Sequence, residues 1–262
     1  MDVIIGAGGV AKEGDPLLGL VAEGEPKALL EIAGKPMVQY VLDAVAASDK
    51  VQEVIVIGLS DEHGINCGDK QIHYLPSAGS LLDNASAASQ FLSQIKPEAV
   101  NVLWVSADIP LVNTEMIDWV IDEVERTEHD LYYSIITRET MEERFPDSKR
   151  SFTSLKSGQV CGGDVNAYSV SLTSGSNTSW QQIVEARKSM LRVASMVGFL
   201  PLLMLATGRM TKARTEQLVL DKLGVRGRLI DCPYAELGMD IDKPYQYEIV
   251  ARELGQTASI TN

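Results

Sequence analysis

The chain has 262 residues, of which 45% are hydrophobic and 23% are charged, as is usual for a folded globular protein with a substantial core. Its formal charge of −13 argues against a duplex nucleic-acid partner, because neutralising a phosphate backbone requires a basic face. An anionic small molecule such as a nucleotide would need a local cluster of lysines, backbone N–H groups and a divalent cation.

The cysteines and the apolar segments indicate the cellular compartment in which the protein is expected. Cys67, Cys161 and Cys232 lie far apart without a C-x-x-C pair, which argues against a disulfide scaffold and a zinc site and is typical of reduced thiols in a cytoplasmic protein. The first apolar segment begins beside Met1, so we expect no signal peptide. The most apolar stretch, residues 193–206, is too short for a membrane span. A buried helix is the better interpretation of it, and a lipid-facing surface is the alternative.

The first candidate binding element is a glycine loop. An apolar strand at residues 3–5 runs into Gly6-Ala7-Gly8-Gly9. A buried strand that ends in glycines leaves backbone N–H groups uncovered, and a cluster of such donors suits phosphate oxygens. Glycine loops are more often simple turns, so the loop alone is weak evidence. Lys27, in a Pro-Lys-Ala-Leu-Leu run, would add positive charge beside the same phosphates.

The next segments predict a βαβ unit. Residues 37–47 carry apolar side chains at helical spacing, and residues 54–57 form a short apolar run before Gly58. Such units give a mostly parallel sheet with helices on both faces, and ligands bind beyond the carboxyl ends of its strands. We therefore predict an α/β fold of three layers, Rossmann-like in its organisation.

A second strand end carries a carboxylate. Residues 102–105 are a buried strand, and Asp108 comes after it, before the rigid turn at Pro110. Carboxylate oxygens are hard ligands that suit Mg²⁺. Capping of the following turn is the alternative role for this aspartate. Upstream, Gly79 and Ser80 lead into a helix rich in small residues that Ser80 or Asp83 would cap.

The second half of the chain offers fewer patterns. A helix at residues 114–126 and a strand at 131–136 precede the basic group of residues 144–150 and a paired glycine before a further strand. A paired glycine suits the close approach of a second substrate. Helices are predicted at about 179–207 and 211–223.

Together, the glycine loop, the Pro-Lys motif, Gly34-Lys35-Pro36-Met37 and the Asp-x-Asp-x-Pro element at residues 240–244 resemble nucleotidyltransferases related to molybdenum cofactor guanylyltransferases and sugar-nucleotide pyrophosphorylases. The resemblance implies one domain over residues 1–262, of the nucleotide-diphospho-sugar transferase type. Residues 140–225 would be an insertion that shapes the acceptor side or serves as a surface for homo-oligomerisation.

The resemblance also assigns roles. The loop would wrap a nucleoside triphosphate, with nucleotide contacts from Ala7, Gly8, Gly9, Lys27, Gly79 and Asn84. The catalytic residues would be Lys27 and Asp108. The Mg²⁺ ligands would be Asp108 and Asp242, with Asp240 as the substitute and helix capping as the alternative role of Asp242. The acceptor would meet Lys149, Arg150, Asp164 and Asn166. Many members carry an arginine after the second glycine; here Lys12 stands nearby and lacks the planar fork.

The predicted reaction is attack by a phosphorylated small-molecule acceptor on the α-phosphorus of the triphosphate, with release of pyrophosphate. A nucleotide-sugar-dependent glycosyltransferase is the first alternative, although the mid-chain Asp-x-Asp that it would need is replaced by Asp108-Ile109-Pro110. A nucleotide-binding regulatory protein without turnover is the second.

Overall fold

The computed structural model describes residues 1–173 and 199–260. The strands of this part are β1 (Asp2–Gly6), β2 (Glu31–Ile32), β3 (Lys35–Pro36), β4 (Val54–Ile57), β5 (Ile72–Leu75), β6 (Asn101–Ser106), β7 (Leu131–Thr137), β8 (Thr153–Leu155), β9 (Gly158–Gly162), β10 (Val165–Ser169) and β11 (Gly227–Asp231). The helices are α1 (Met37–Ala46), α2 (Leu81–Ile95), α3 (Thr114–Glu125), α4 (Arg138–Arg144), α5 (Val170–Thr173), α6 (Phe199–Ala206), α7 (Lys212–Leu223) and α8 (Pro244–Ile260).

Nine strands form one mixed sheet in the order β5-β4-β1-β6-β10-β7-β9-β8, with β11 paired to β7 outside this path. The pairs among β5, β4, β1 and β6 are parallel, as is the pair of β11 with β7. The strands β10 and β9 run antiparallel to their neighbours. Seven of the nine strands therefore point the same way, which confirms the predicted mostly parallel sheet.

Apolar side chains on the two faces of this sheet pack against different helices. One core joins β1, β4 and β6 to α1, α3 and α8 through residues such as Val38, Ile117 and Val250. A second core joins the opposite face to α2 through Ala88 and Trp104. Because a parallel strand is covered on both sides, its residues are apolar throughout, as in Val54–Ile57. The three-layer α/β fold is confirmed.

Of the two residues predicted to cap helix α2, Ser80 is the N-cap residue and Asp83 completes the cap. The Ser80 hydroxyl accepts a hydrogen bond from the N–H of Asp83 (3.2 Å), and the Asp83 carboxylate accepts in return from the N–H of Ser80 (3.4 Å). This reciprocal pair satisfies donors that a helix N-terminus otherwise leaves free. The turn that precedes α2 is therefore held in one conformation.

The second half of the chain departs from the sequence analysis in detail. Helix α4 and the β8–β9 hairpin were not predicted, because both are short and lack a clear period. Strand β10 falls in the segment predicted as an acceptor-side insertion, yet it lies between β6 and β7 within the sheet. Of the helix predicted at 179–207, residues 199–206 are helical and residues 179–198 lie outside the described residues.

No helix in the described part of the chain combines the length and the apolar character that crossing a bilayer would require. The cytoplasmic location and homo-oligomerisation stay predictions.

Candidate functional site

The strand register brings the glycine loop and Asp108 to one edge of the sheet. Gly6, the last residue of β1, lies opposite Ile57 at the end of β4 and Ser106 at the end of β6. The loops that leave these three strands therefore meet at the carboxyl ends of the strands, where ligands of such sheets bind. A cavity of about 40 Å³ at this edge is lined by residues that include Ala7, Gly9, Lys27 and Asp108.

The glycine loop is fixed at both ends and open in the middle. The N–H of Ala7 donates to the carbonyl of Ile57 (2.9 Å), and the N–H of Lys27 donates to the carbonyl of Gly9 (2.9 Å). Between these anchors, the N–H groups of Gly8 and Gly9 have no hydrogen-bond partner among the described residues. Adjacent free amides at a strand end are suited to an anion.

Close packing beneath the loop requires a glycine that the sequence analysis did not single out. A Cβ on Gly58 would lie 2.3 Å from Cα of Gly8, and Gly58 has a φ of +104°. Both the contact and the backbone angle exclude a side chain at this position. The sequence shows that this glycine follows an apolar strand. It does not show that the glycine packs against Gly8, which lies 50 residues away along the chain.

Replacing Gly58 with alanine is expected to lower the free energy of unfolding by about 3 kcal/mol or more, because it combines a steric clash with a strained φ. Gly64→Ala is the matched control, since Gly64 also has a positive φ (+67°) but has open space where a Cβ would lie. We expect it to cost about 1 kcal/mol. Urea unfolding of both variants measures the difference, and equal losses would contradict a clash under the loop.

The residues predicted near the base lie beside this loop. Asn84 is buried, and its Oδ1 accepts a hydrogen bond from the N–H of Ala78 (2.7 Å). A Cβ on Gly8 would lie 3.0 Å from Nδ2 of Asn84. Gly79 has a φ of +110°, so it forms a turn that a side chain would strain. The structure thus places Asn84 under the glycine loop and Gly79 on the exposed turn next to it.

Lys27 lies between two carboxylates. Its Nζ is 3.3 Å from Oδ2 of Asp15 and 4.0 Å from Oδ1 of Asp242. The Asp15 side chain is 13% exposed and the Asp242 side chain 57% exposed, so Asp15 is the more shielded partner. Asp15 belongs to the polar loop after the glycines, and no spacing in the sequence connects it to Lys27. Lys12, the basic residue of that loop, is exposed.

Asp108 is half-buried at the end of β6. Its Oδ1 is buried without a hydrogen-bond partner among the described residues, and burial, together with the neighbouring Asp242, raises the pKa of its carboxyl group. The N–H of Ile241 donates to the main-chain carbonyl of Asp108 (3.0 Å), which holds the Asp-x-Asp element against this strand end. Asp108 and Asp242, predicted as partners, are therefore neighbours.

Asp164 occupies the interruption between β9 and β10. Its N–H donates to the carbonyl of Leu237 (2.7 Å), and its own carbonyl accepts from the N–H of Ser106 (3.0 Å). Its Oδ2 is buried without a hydrogen bond in the described part of the chain, and Nη2 of Arg150 lies 3.9 Å from it. The two residues between β9 and β10 form a bulge, and this bulge places Asp164 beside the strand end that precedes Asp108.

Arg150 is held by protein groups on several sides. It forms an ion pair with Asp240, and its Nη2 donates to the carbonyl of Gly162 (3.3 Å). Asp240, the substitute candidate for the metal, is therefore engaged by a guanidinium group, whereas Asp242 is not. The neighbouring Lys149 is exposed, and its Nζ lies 5.1 Å from the ring centre of Tyr245.

Asn166 makes two hydrogen bonds to the main chain. Its Oδ1 accepts from the N–H of Ser134 (2.9 Å), and its Nδ2 donates to the carbonyl of Gly163 (2.9 Å). These bonds hold the bulge that carries Asp164. Asn166 therefore lies next to Asp164, but both its amide oxygen and its amide nitrogen are already hydrogen-bonded to the main chain.

Burial raises the pKa of two further carboxyl groups of this site, those of Asp164 and Asp240. Burial and the nearby Asp108 raise the pKa of Asp164 to about 8, and burial raises the pKa of Asp240 to about 6 although Arg150 opposes that shift. A carboxyl whose pKa is higher in the folded than in the unfolded state favours folding while it is protonated. That contribution is lost as the pH rises from about 4 to about 8.

Asp164→Asn should therefore stabilise the metal-free protein more at pH 8.5 than at pH 5.5, because the amide carries no charge to bury. We expect the gain in the free energy of unfolding to differ by about 1 kcal/mol or more between these pH values. Urea unfolding in the presence of a chelator measures it. A gain that is the same at both pH values would contradict the raised pKa.

Comparison with known proteins agrees with this geometry. The family of the MobA-like NTP transferase domain matches residues 4–168, a range that contains the glycine loop, Lys27, Asp108 and Asp164. The chain belongs to this family. The resemblance seen in the sequence is confirmed, and the protein is a member of a nucleotidyltransferase family.

Solved structures with the same architecture cover nearly the whole chain. A hypothetical transferase from Thermus thermophilus is 30% identical, with a TM-score of 0.78, and the match covers 94% of this chain and 98% of that one. CMP:2-keto-3-deoxy-manno-octonic acid synthetase, solved with CTP, is 16% identical with a TM-score of 0.60, and the match covers 97% and 98% of the two chains. At that identity the likeness shows the fold alone.

A relative in sequence is the bifunctional protein GlmU of Alcanivorax borkumensis. It is 34% identical over 93 residues, which are 35% of this chain and 20% of GlmU. The chain therefore matches only a fifth of the length of that relative.

Proposed function

We propose that this MobA-like protein transfers a nucleoside monophosphate from a nucleoside triphosphate to a phosphorylated small-molecule acceptor and releases pyrophosphate. The observation that carries the proposal is that the glycine-loop amides, Lys27 and the buried Oδ1 of Asp108 meet at one edge of the sheet, where this oxygen has no hydrogen-bond partner among the described residues. Free amides and an ammonium group suit the triphosphate, and a buried carboxylate oxygen without a partner suits a cation.

The residues present fit Mg²⁺. Oδ1 of Asp108 is buried and has no hydrogen-bond partner among the described residues, and the Asp242 carboxylate is close enough to raise the pKa of Asp108. Within the same part of the chain, no three His, Cys, Asp or Glu side chains form a ready metal cluster. Mg²⁺ takes one or two carboxylates together with substrate phosphates and waters, so two neighbouring aspartates beside a phosphate-binding loop suit it. We assign Asp108 and Asp242 as its ligands, since Asp240 is engaged by Arg150.

The protein groups would act mainly by positioning and by charge. The amides of Gly8 and Gly9 would hold the phosphates, and Asn84 and Gly79 would shape the place of the base. Lys27 would neutralise charge that develops on the departing pyrophosphate. Bound Mg²⁺ would supply Lewis-acid stabilisation of the α-phosphate.

The proposed transfer does not require a general base. An oxygen of the acceptor phosphate forms a bond to the α-phosphorus, and the bond to the β-bridging oxygen breaks, so its electron pair leaves with pyrophosphate. The nucleophile is already an anion, so no proton has to be removed. Lys149, Arg150, Asp164 and Asn166 are the proposed acceptor side of this reaction.

Thermal denaturation with each of ATP, GTP, CTP, UTP and dTTP, with and without Mg²⁺, tests the donor half of the proposal. A ligand that binds only the folded state at about a hundred times its Kd stabilises it by about 2.7 kcal/mol, which raises the Tm by several degrees. We expect one triphosphate to do so in a Mg²⁺-dependent way. A shift with nucleotide sugars alone would replace the proposal with a glycosyltransferase, and binding without pyrophosphate release for any acceptor would favour a regulatory protein.

A further inference from the structure

A second cavity lies next to the carboxylate site, on its acceptor side. It has a volume of about 290 Å³, and most of its lining is apolar. The apolar walls come from α2, β6, β7 and β10, with the side chains Leu81, Leu82, Ala85, Trp104, Tyr133 and Tyr168. We call this space the aromatic cavity. Ser106, Asp164 and Asn166 also line it, so it opens onto the site described above.

The aromatic cavity and the nucleotide loop lie over different strands of the sheet. The loop rests on β1 and β4, where Gly8 packs against Gly58, whereas the cavity lies over β6, β10 and β7. The Trp104 ring forms the wall between them, because a Cβ on Gly6 would lie 2.3 Å from its Cζ2. Triphosphate oxygens held by the loop would lie on the β1 side of the Trp104 ring, which leaves the cavity on the other side of that ring to the second substrate.

Two polar side chains of the cavity wall are engaged by the protein itself, whereas Oδ2 of Asp164 is buried without a hydrogen-bond partner among the described residues. The Tyr168 hydroxyl lies 3.3 Å from the carbonyl of Ala85 and 3.3 Å from the hydroxyl of Ser89, so the residue presents its ring to the cavity. Asn166 bonds to the main chain at both ends of its amide. A polyol placed here would bury several hydroxyl groups, and the open oxygen of Asp164 could pair with only part of them, so that burial of the others would be unfavourable.

From this lining we infer that the acceptor is a phosphate ester whose organic part is apolar and occupies the aromatic cavity. This rests on the proposed function and narrows its second substrate. At roughly 30 Å³ for each heavy atom, as for water in the liquid, the cavity holds about ten such atoms. The ester phosphate would lie at the mouth, between Arg150 and Asp108, where it attacks the α-phosphorus as described above.

The binding of a homologous series of esters tests the inference. Ethyl, butyl and hexyl phosphate are titrated by calorimetry into the full chain with Mg²⁺, alongside glycerol 3-phosphate and glucose 1-phosphate. Burial of each added methylene should lower the Kd by about fourfold, so hexyl phosphate, with four more methylenes, should bind about 250-fold tighter than ethyl phosphate. A Kd that does not change with chain length, or tighter binding of glucose 1-phosphate than of hexyl phosphate, would overturn the inference.

A variant of the cavity wall adds an independent test. Leu81 is 48% exposed in the first turn of α2, so Leu81→Asn should fold, and it should weaken hexyl phosphate about tenfold while changing ethyl phosphate little. Leu220→Asn is the matched control, because Leu220 is a 41% exposed leucine of α7 outside the cavity. Equal affinity of both variants for hexyl phosphate would count against the cavity as the binding site.

Failure of this inference and failure of the proposed function give different results. A Mg²⁺-dependent triphosphate shift combined with no chain-length effect leaves the transferase standing and removes the apolar acceptor. A clear chain-length effect without any triphosphate binding keeps the aromatic cavity as an apolar-ester site and rejects nucleotidyl transfer.

Discussion

Asp108→Asn is expected to lower Mg²⁺-dependent pyrophosphate release by about a thousandfold or more, because a neutral amide replaces the proposed carboxylate ligand of the cation. The same change should raise the stability of the metal-free protein by about 1 kcal/mol, since it removes a charge whose Oδ1 is buried without a partner among the described residues. Loss of activity with a gain in stability is the behaviour expected of a residue kept for function rather than for folding.

Two measurements check this expectation: the initial rate of pyrophosphate release with the triphosphate identified by thermal shift, and urea unfolding in a chelator. Asp69→Asn makes the same chemical change at an exposed position and should alter neither quantity. Unchanged activity in Asp108→Asn would remove Asp108 from the metal site. Reduced stability would mean that its carboxylate has a structural partner.

The sequence could predict the sheet and the two strand ends because both depend on local patterns. A run such as Val54–Ile57 is apolar at every residue, which specifies a strand covered on both faces, and the parallel connection then places Gly8 and Asp108 at the same edge. This part of the site needs no knowledge of contacts between distant residues. It could therefore be predicted from the sequence.

The acceptor side could not be predicted in the same way, because contacts between distant residues determine it. Arg150 was predicted to bind an anion, but in the structure it pairs with Asp240, 90 residues away. The predicted strand after the paired glycine forms, but its antiparallel place between β6 and β7 depends on pairing that no period reveals. Only this pairing turns Trp104 and Tyr168 toward a common cavity.

Lys27→Met is expected to lower kcat/KM for the triphosphate by about 10²–10³, the loss typical of removing one charge-stabilising group from a developing anion. In the free protein its ammonium group lies 3.3 Å from Asp15 and 4.0 Å from Asp242. Triphosphate oxygens must therefore compete with two carboxylates for the Lys27 ammonium group. Mg²⁺ bound to Asp242 would free the ammonium group from that carboxylate. If this exchange occurs, Lys27→Met should also weaken the dependence of triphosphate binding on Mg²⁺.

Lys35→Met provides the matched control for Lys27. Lys35 is also an ion-paired lysine, with Nζ 2.6 Å from Oδ2 of Asp43, but it does not line the cavity at the strand end. Steady-state kinetics over a range of Mg²⁺ concentrations should therefore leave Lys35→Met near the wild type while Lys27→Met loses rate. Equal kinetics in the two variants would reject the role of Lys27. A loss confined to KM would show that it binds the triphosphate equally in the ground and transition states, because only transition-state interactions raise kcat.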